Sequence, residues 1–182
     1  MKYRSCPPRA RGFTLVEILI AIVVFSIGLL GIAGLQVSGM RFTKGAEIRA
    51  VAAMQAATMA DRMRANRAAV QDGNYNTQGT MPTSSGKDCA TVACTPAETA
   101  TYDLVNWNTS GGASKPVQSN ADVLPGGAGV VCLDATPNDG GSAGWACDNT
   151  GSIYAIKLRW DERASSGSTD ASEKTMVMRV MQ

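Results

Sequence analysis

The distribution of apolar residues divides the chain into two parts. Within residues 15–35 every position is apolar or small except Glu17, near the start, and Ser26. At a rise of about 1.5 Å per residue, this segment makes a helix of about 32 Å, and the hydrocarbon core of a bilayer is about 30 Å thick. The first part of the chain is therefore predicted to span a membrane.

A second helical pattern follows the apolar segment. Apolar residues recur at spacings of three and four, opposite basic and amide side chains. No Pro occurs between Phe13 and Met81, so one long helix is predicted from about Phe13 to about Asn66, with Gly73 as a firm end. The apolar stripe of its second half consists of Ile48, Val51, Ala52, Ala56, Met59 and Met63.

The remainder of the chain carries one short helix signal and several strand signals. Thr95, Pro96 and Glu98 have the spacing of a capping box with Pro at the first helical position. Leu104, Val105 and Trp107 are the predicted buried residues of that helix.

Three segments are predicted to be antiparallel strands, the last two of them because apolar residues alternate along the chain. They are residues 130–133, 153–160 and 175–180, the first entered through the turn at 124–127 and the last two joined by a loop at 164–172. Lys157 and Arg159 point away from the apolar face, so the middle strand is predicted to be half-buried. The amphipathic half of the long helix is the expected cover, which gives an α+β architecture.

The charges that flank the apolar segment indicate its orientation. Lys2, Arg4, Arg9 and Arg11 precede it without an acidic residue, so this end is predicted to stay in the cytoplasm while the rest crosses outward. The segment is longer than a secretory h-region of about 7 to 15 residues, and no convincing small-x-small cleavage site follows it.

Glu17 is the residue most informative about function. A carboxylate at mid-bilayer costs about 2.5 to 3.5 kcal/mol on insertion scales, so it needs a partner or a place near the interface. If the chain is cut between Gly12 and Phe13, the new amine of Phe13 lies one helical turn from Glu17. Glu17 could equally neutralise the amine of a neighbouring copy, which would make it an assembly device.

Residues 12–17, with the sequence GFTLVE, resemble the N-terminal motif of the type IV pilin superfamily. The resemblance implies cleavage after Gly12 by a prepilin peptidase, N-methylation of Phe13, and polymerisation with Glu17 in an assembly salt bridge. It also implies a pilin-like α+β fold. The implied parts are a leader at 1–12, a transmembrane and filament-core segment at 13–36, an amphipathic helix at 37–67 and a periplasmic head at 68–182.

Weaker matches resemble a minor pilin of the PilV kind; they lie at residues 28–36, 61–66, 107, 124–127, 158–160 and 178–180. This resemblance implies a subunit of a tip or priming complex that supports pilus assembly, and thereby twitching motility, adhesion or DNA uptake. The implied partners are other minor pilins, the major pilin, the prepilin peptidase and methyltransferase, and the inner-membrane assembly platform. The alternatives are a pseudopilin of a type II secretion system and a membrane-anchored adhesin or enzyme.

The cysteines agree with this topology. Cys6 falls in the predicted leader, and Cys89, Cys94, Cys132 and Cys147 then face an oxidising compartment outside the inner membrane. Three pairings are possible; Cys89 with Cys94 and Cys132 with Cys147 is preferred, at about 2 and 3 kcal/mol of stabilisation. Because the chain has no His and the last two cysteines are far apart, no metal site is predicted.

Composition excludes several functions. Removing the four leader cations from the net charge of +2 leaves −2, and the head at 68–182 carries a net −5 against +4 for 41–67. Direct nucleic-acid binding is therefore not expected. The lack of His rules out imidazole catalysis, and Asp161 and Glu162 are expected to be solvated. No Gly-rich phosphate motif follows a strand, so neither an enzyme nor a cofactor is predicted.

Overall fold

The computed structural model describes residues 12–109, 119–140, 144–163 and 171–181. The chain divides into two compact units, Met1–Phe42 and Thr43–Gln182. Residues 1–11 of the predicted leader lie outside the described residues. The elements in chain order are the helices α1 (Leu15–Ala65), α2 (Arg67–Gln71), α3 (Pro96–Asn108) and α4 (Asn120–Val123), and the strands β1 (Ala128–Leu133), β2 (Ile153–Arg163) and β3 (Ala171–Met181).

Helix α1 confirms the predicted long helix, with Leu15 and Ala65 as its first and last residues. It stops at Asn66, where the predicted terminator lies, and the short α2 follows at once. The Asn66 side chain donates to the carbonyl of Pro96 at 2.8 Å, which ties the helix end to the start of α3. Gly73 then turns the chain with a φ of +78°, a left-handed conformation that favours glycine.

The three predicted strands form one antiparallel sheet in the order β1-β2-β3. The β2–β3 register is continuous from Ile153 opposite Met181 to Arg163 opposite Ala171. The predicted loop at 164–172 was too long, because Ala171 and Ser172 already belong to β3. Residues 164–170 of that loop lie outside the described part of the chain.

The predicted stripe of α1 covers one face of this sheet. Ala52, Ala56, Met59 and Met63 are fully buried, whereas Ile48 and Val51 are partly buried at the margin of the core. Across from them lie the even-numbered residues of β2, and each large apolar side chain buried there contributes about 1.5 to 3 kcal/mol. The core residues supplied by β2 are Tyr154, Ile156, Leu158 and Trp160.

Helix α3 begins with the predicted capping box. The Glu98 N–H donates to Thr95 Oγ1 at 3.3 Å, and the Thr95 N–H donates to Glu98 Oε2 at 2.9 Å. Lys87 donates to the same carboxylate from 2.5 Å, and this hydrogen bond, followed by the bond from Thr95, lowers the pKa of Glu98 to about 2. Trp107 is buried as predicted and donates its indole N–H to the Gln55 carbonyl at 2.8 Å, which joins α3 to α1.

The second face of β2 departs from the prediction, because Lys157 is buried rather than solvated. Only 3% of Lys157 is exposed, and its ammonium lies 2.5 Å from Asp134 Oδ2 and 3.1 Å from Asp139 Oδ1. It also donates to the Trp145 carbonyl at 2.7 Å. The segment that follows β1 folds back over this face, and Cys147 fastens it to β1. The pattern along β2 could not reveal a cover supplied by a loop.

The acidic pair at the end of β2 is also less solvated than predicted. Glu162 is 15% exposed in its side chain and accepts hydrogen bonds from Arg49 Nη2 at 3.0 Å and Arg49 Nε at 3.2 Å. Its carboxylate lies over Gly45, where an added Cβ would come within 2.7 Å of Glu162 Oε1. Gly45 of α1 therefore leaves room for this ion pair, whereas Asp161 is exposed as predicted.

Candidate assembly interface

The predicted processing site lies just ahead of α1. Gly12 is exposed and non-helical, and a Cβ added there would meet no atom within 4 Å. The chain itself therefore gives no steric reason for glycine at this position. Phe13 follows with 78% of its surface exposed, so the bond between Gly12 and Phe13 is accessible from outside the chain.

Glu17 lies in the first turn of α1 with an exposed side chain. Its backbone N–H donates to Thr14 Oγ1 at 3.2 Å, so Thr14 caps the helix. A carboxylate in the first turn also lies favourably in the field of the helix dipole. The sequence reasoning missed this local role of the motif, although the spacing T-x-x-E at 14–17 signals a capping box.

The first unit presents a large exposed apolar surface along α1. Glu17 is the only ionisable side chain among residues 12–40. The hydroxyl of Ser26 donates to the Ile22 carbonyl at 2.7 Å, so the polar interruption of the run is satisfied within the helix. Exposed large residues include Leu15, Val16, Leu19, Ile20, Val23, Val24, Phe25, Ile27, Leu30, Ile32 and Leu35. A surface of this kind requires lipid or other protein against it.

Length and composition make α1 able to cross a membrane, and it is the one helix with both properties in the described part of the chain. Gly28, Gly31, Gly34 and Gly39 lie within this half, and a Cβ added at any of them would meet no other atom within 4 Å. In contrast to Gly45, these glycines are not required by contacts within the chain.

The cysteines of the second unit form two disulfides in the structure. Cys89 is joined to Cys94 with a Cα–Cα distance of 5.6 Å, and Cys132 is joined to Cys147 with a Cα–Cα distance of 6.1 Å. Cys132, Cys147 and Asp134 place their polar or sulfur atoms within 4.8 Å of one another. The two sulfurs bind each other rather than carrying thiolate charge, so this group does not offer the ligands that a metal prefers.

Comparison with known protein families agrees with this arrangement. The model described as the prokaryotic N-terminal methylation motif matches residues 7–33, and the model described as type IV pilin Tt1218 matches residues 34–105. Neither the curated proteins nor the solved structures give a match.

A long N-terminal helix with an exposed apolar half, and a small antiparallel sheet on its second half, define a pilin-like α+β protein. The chain belongs to the type IV pilin superfamily. Members of this superfamily are structural rather than enzymatic. The N-terminal motif implies processing by a prepilin peptidase and assembly with other pilins, and the apolar helix fits anchoring in a membrane.

Proposed function

We propose that this chain is a minor pilin that enters a type IV pilus and helps to prime assembly or form the tip complex. The single observation that carries the proposal is the isolated Glu17 on an exposed apolar helix. In a helix that only anchors a protein, a carboxylate there stabilises the first turn and does no more. In a helix that must pack at a defined height beside others, it also supplies a charge that can pair with an amine of a neighbour.

The proposed chemistry pairs Glu17 with an amine. Cleavage after Gly12 frees the amine of Phe13, and methylation preserves its positive charge. At about 4 Å, opposite unit charges attract by about 1 kcal/mol in water and about 4 kcal/mol at an effective dielectric constant of 20. Among packed apolar helices this attraction acts only in the register that brings the two groups together. Glu17 would therefore set the height of one subunit against the amine of its neighbour.

Before assembly, the protein is proposed to reside in the inner membrane as a single-pass protein with its second unit in the periplasm. The cations ahead of residue 12 support this orientation, and disulfides are stable in that compartment. The proposed partners are the prepilin peptidase and methyltransferase, the inner-membrane assembly platform, the major pilin and other minor pilins. The scattered resemblance to the PilV kind supports the minor rather than the major role.

Deletion of the gene in its own bacterium tests the proposal. Loss of surface filaments and of twitching is expected, and the full-length chain supplied from a plasmid should restore both. Type II secretion should continue unchanged in the deletion strain. Normal filaments with defective secretion would instead identify a pseudopilin, and normal filaments with normal secretion would contradict both assignments.

Replacing Gly12 by Ala, or by a bulkier residue, is expected to block removal of the leader. Because the folded chain tolerates a Cβ there, the effect should arise at the peptidase and not from misfolding. Co-expression with a prepilin peptidase, followed by electrophoresis, measures the loss of the leader as a mobility shift. Gly28→Ala, the same replacement at another unconfined glycine, is the matched control and should be processed normally. A normal shift for Gly12→Ala would contradict the leader assignment.

A further inference from the structure

The two outer edges of the sheet differ in whether their backbone groups have partners. In an antiparallel sheet, alternate residues of an edge strand turn their N–H and C=O groups away from the neighbouring strand. On β1 these residues are Gly129, Val131 and Leu133. The Gly129 N–H donates to Asn108 Oδ1 at 2.6 Å, and the Leu133 N–H donates to Asn76 Oδ1 at 3.2 Å.

Two of the three outward carbonyl groups of the β1 edge, those of Val131 and Leu133, also accept hydrogen bonds. Thr77 donates to the Val131 carbonyl from its backbone N–H at 2.9 Å and from its hydroxyl at 2.7 Å. The N–H of Asn149 donates to the Leu133 carbonyl at 3.1 Å. A further strand could pair with β1 only by displacing these groups, so this edge is closed.

The register shows which residues of β3 face outward. Even-numbered residues of β1 bond to odd-numbered residues of β2, as Val130 does opposite Lys157. By alternation, even-numbered residues of β2 bond to β3, as Ile156 does opposite Met178. The residues of β3 that turn N–H and C=O toward the outer edge are therefore the odd-numbered ones: Ala171, Glu173, Thr175, Val177, Arg179 and Met181.

This outer edge is open within the described residues, where the backbone of β3 receives no hydrogen bond from any segment other than β2. Residues 175–181 contain neither Pro nor Gly and carry Arg179 as their only charge. The pairing with β2 runs without a bulge. Met176 and Met178 pack against the core but remain partly exposed beside the edge. Proline, bulges and clustered charges are the features that keep an edge strand from pairing with another chain. A stretch of edge strand that lacks them is a template for another strand.

We propose that the outer edge of β3 receives an extended strand from a different pilin subunit, an inference that rests on the proposed pilus function. The backbone of that strand would pair with the outward groups of β3. Its apolar side chains would lie beside Met176 and Met178, on the face of the sheet that α1 covers. An acidic side chain opposite Arg179 would complete a favourable cross-strand pair.

A second copy of this chain does not fit the same edge. Its β1 edge is closed, so β3 cannot pair there. If two β3 strands paired antiparallel, the two copies would be related by a two-fold axis normal to the sheet. That axis would make residues 43–65 of α1 run in opposite directions in the two copies. Subunits anchored in one membrane need these segments to run the same way. A parallel pair would turn the second copy over and place its polar face beside Met176 and Met178.

Thr175→Pro separates edge pairing from folding. Thr175 is exposed and its N–H points outward, so proline removes one outward donor and leaves the β2–β3 hydrogen bonds in place. Thr175→Ala keeps the donor and is the matched control. The photocrosslinker p-benzoylphenylalanine at Met181, which is 83% exposed, reports the neighbour of the edge. The full chain is used, in cells that assemble the filament.

With Thr or Ala at position 175, we expect an adduct that mass spectrometry resolves as position 181 joined to an extended segment of another pilin. Thr175→Pro should lower its yield at least about fivefold, the loss expected when one backbone hydrogen bond is removed, while both disulfides persist. Arg179→Glu, which leaves the backbone unchanged, should also lower it. Equal yields from all variants, an adduct of two copies of this chain, or no adduct would overturn the proposal.

A second crosslinker at Ile27, which is 66% exposed in the first unit, keeps this test separate from that of the proposed function. Pilin adducts from position 27 without one from position 181 would refute the edge interaction and leave the pilus role standing. Loss of adducts at both positions would refute the pilus role together with the edge interaction.

Discussion

Replacing Glu17 by Leu is expected to lower the amount of this chain in sheared filaments at least about tenfold, which corresponds to about 1.4 kcal/mol. The carboxylate is the only charged side chain among residues 12–40, so no other side chain of that segment can take over its pairing with an amine. Leu suits the membrane better than Glu, and the variant should therefore still accumulate in the membrane. Immunoblots of the filament and membrane fractions give the ratio that decides the outcome.

Two further variants separate charge from helix capping. Glu17→Gln keeps the shape of the side chain but removes its charge, and it should behave like Glu17→Leu. Thr14→Ala removes the hydroxyl that accepts the Glu17 N–H and keeps the charge. It should weaken the first helical turn by about 1 kcal/mol and reduce incorporation much less. Incorporation of Glu17→Leu at the level of the unchanged protein would refute the proposed salt bridge.

Replacing Lys157 by Ala is expected to lower the free energy of unfolding by about 3 to 5 kcal/mol. Lys157 is 3% exposed, and Asp134, whose carboxylate contacts its ammonium, is fully buried. Removal of the ammonium leaves that carboxylate buried without a counter-charge. Denaturant titration of the full chain in detergent, with both disulfides intact, measures the change.

Arg159→Ala is the matched control for this prediction, because Arg159 lies on the same face of β2 two residues further on. Its guanidinium carbon lies 4.7 Å from the centroid of the Trp145 ring, a contact of about 0.5 to 1 kcal/mol when exposed. The double variant Lys157→Met with Asp134→Asn removes both charges and should recover part of the loss. If Lys157→Ala costs no more than Arg159→Ala, the buried ion pair does not stabilise the second unit as proposed.

The sequence predicted those elements whose signals are local. The spacing of Ala52, Ala56, Met59 and Met63 predicted the buried stripe of α1, and Thr95 with Glu98 predicted the start of α3. Alternation predicted β2 and β3, because one face of each packs on the core. The strand β1 was predicted from the apolar residues 130–133 after a turn. The short helix α4 was missed, since four residues give no period to recognise.

The predictions made from the sequence were wrong where a segment distant in the chain covers a residue. The alternation along β2 gave Lys157 a solvated face, but the segment after β1 folds over that face and supplies Asp134 and Asp139. Glu162 was expected in solvent, but α1 brings Arg49 to it. A local pattern records which face of an element is polar, and it does not record whether a polar face meets water or an opposite charge.

The sequence by itself determined the superfamily, the long helix and the isolated carboxylate at its head, because each depends on residue type and on spacing along one helix. Only the tertiary structure decided which edge of the sheet is open and where the second unit buries charge. Those properties depend on residues far apart in the chain, such as Asn76, Thr77 and Asn108 beside β1. Hydrogen bonds between them follow from the path of the folded backbone and have no period in the sequence.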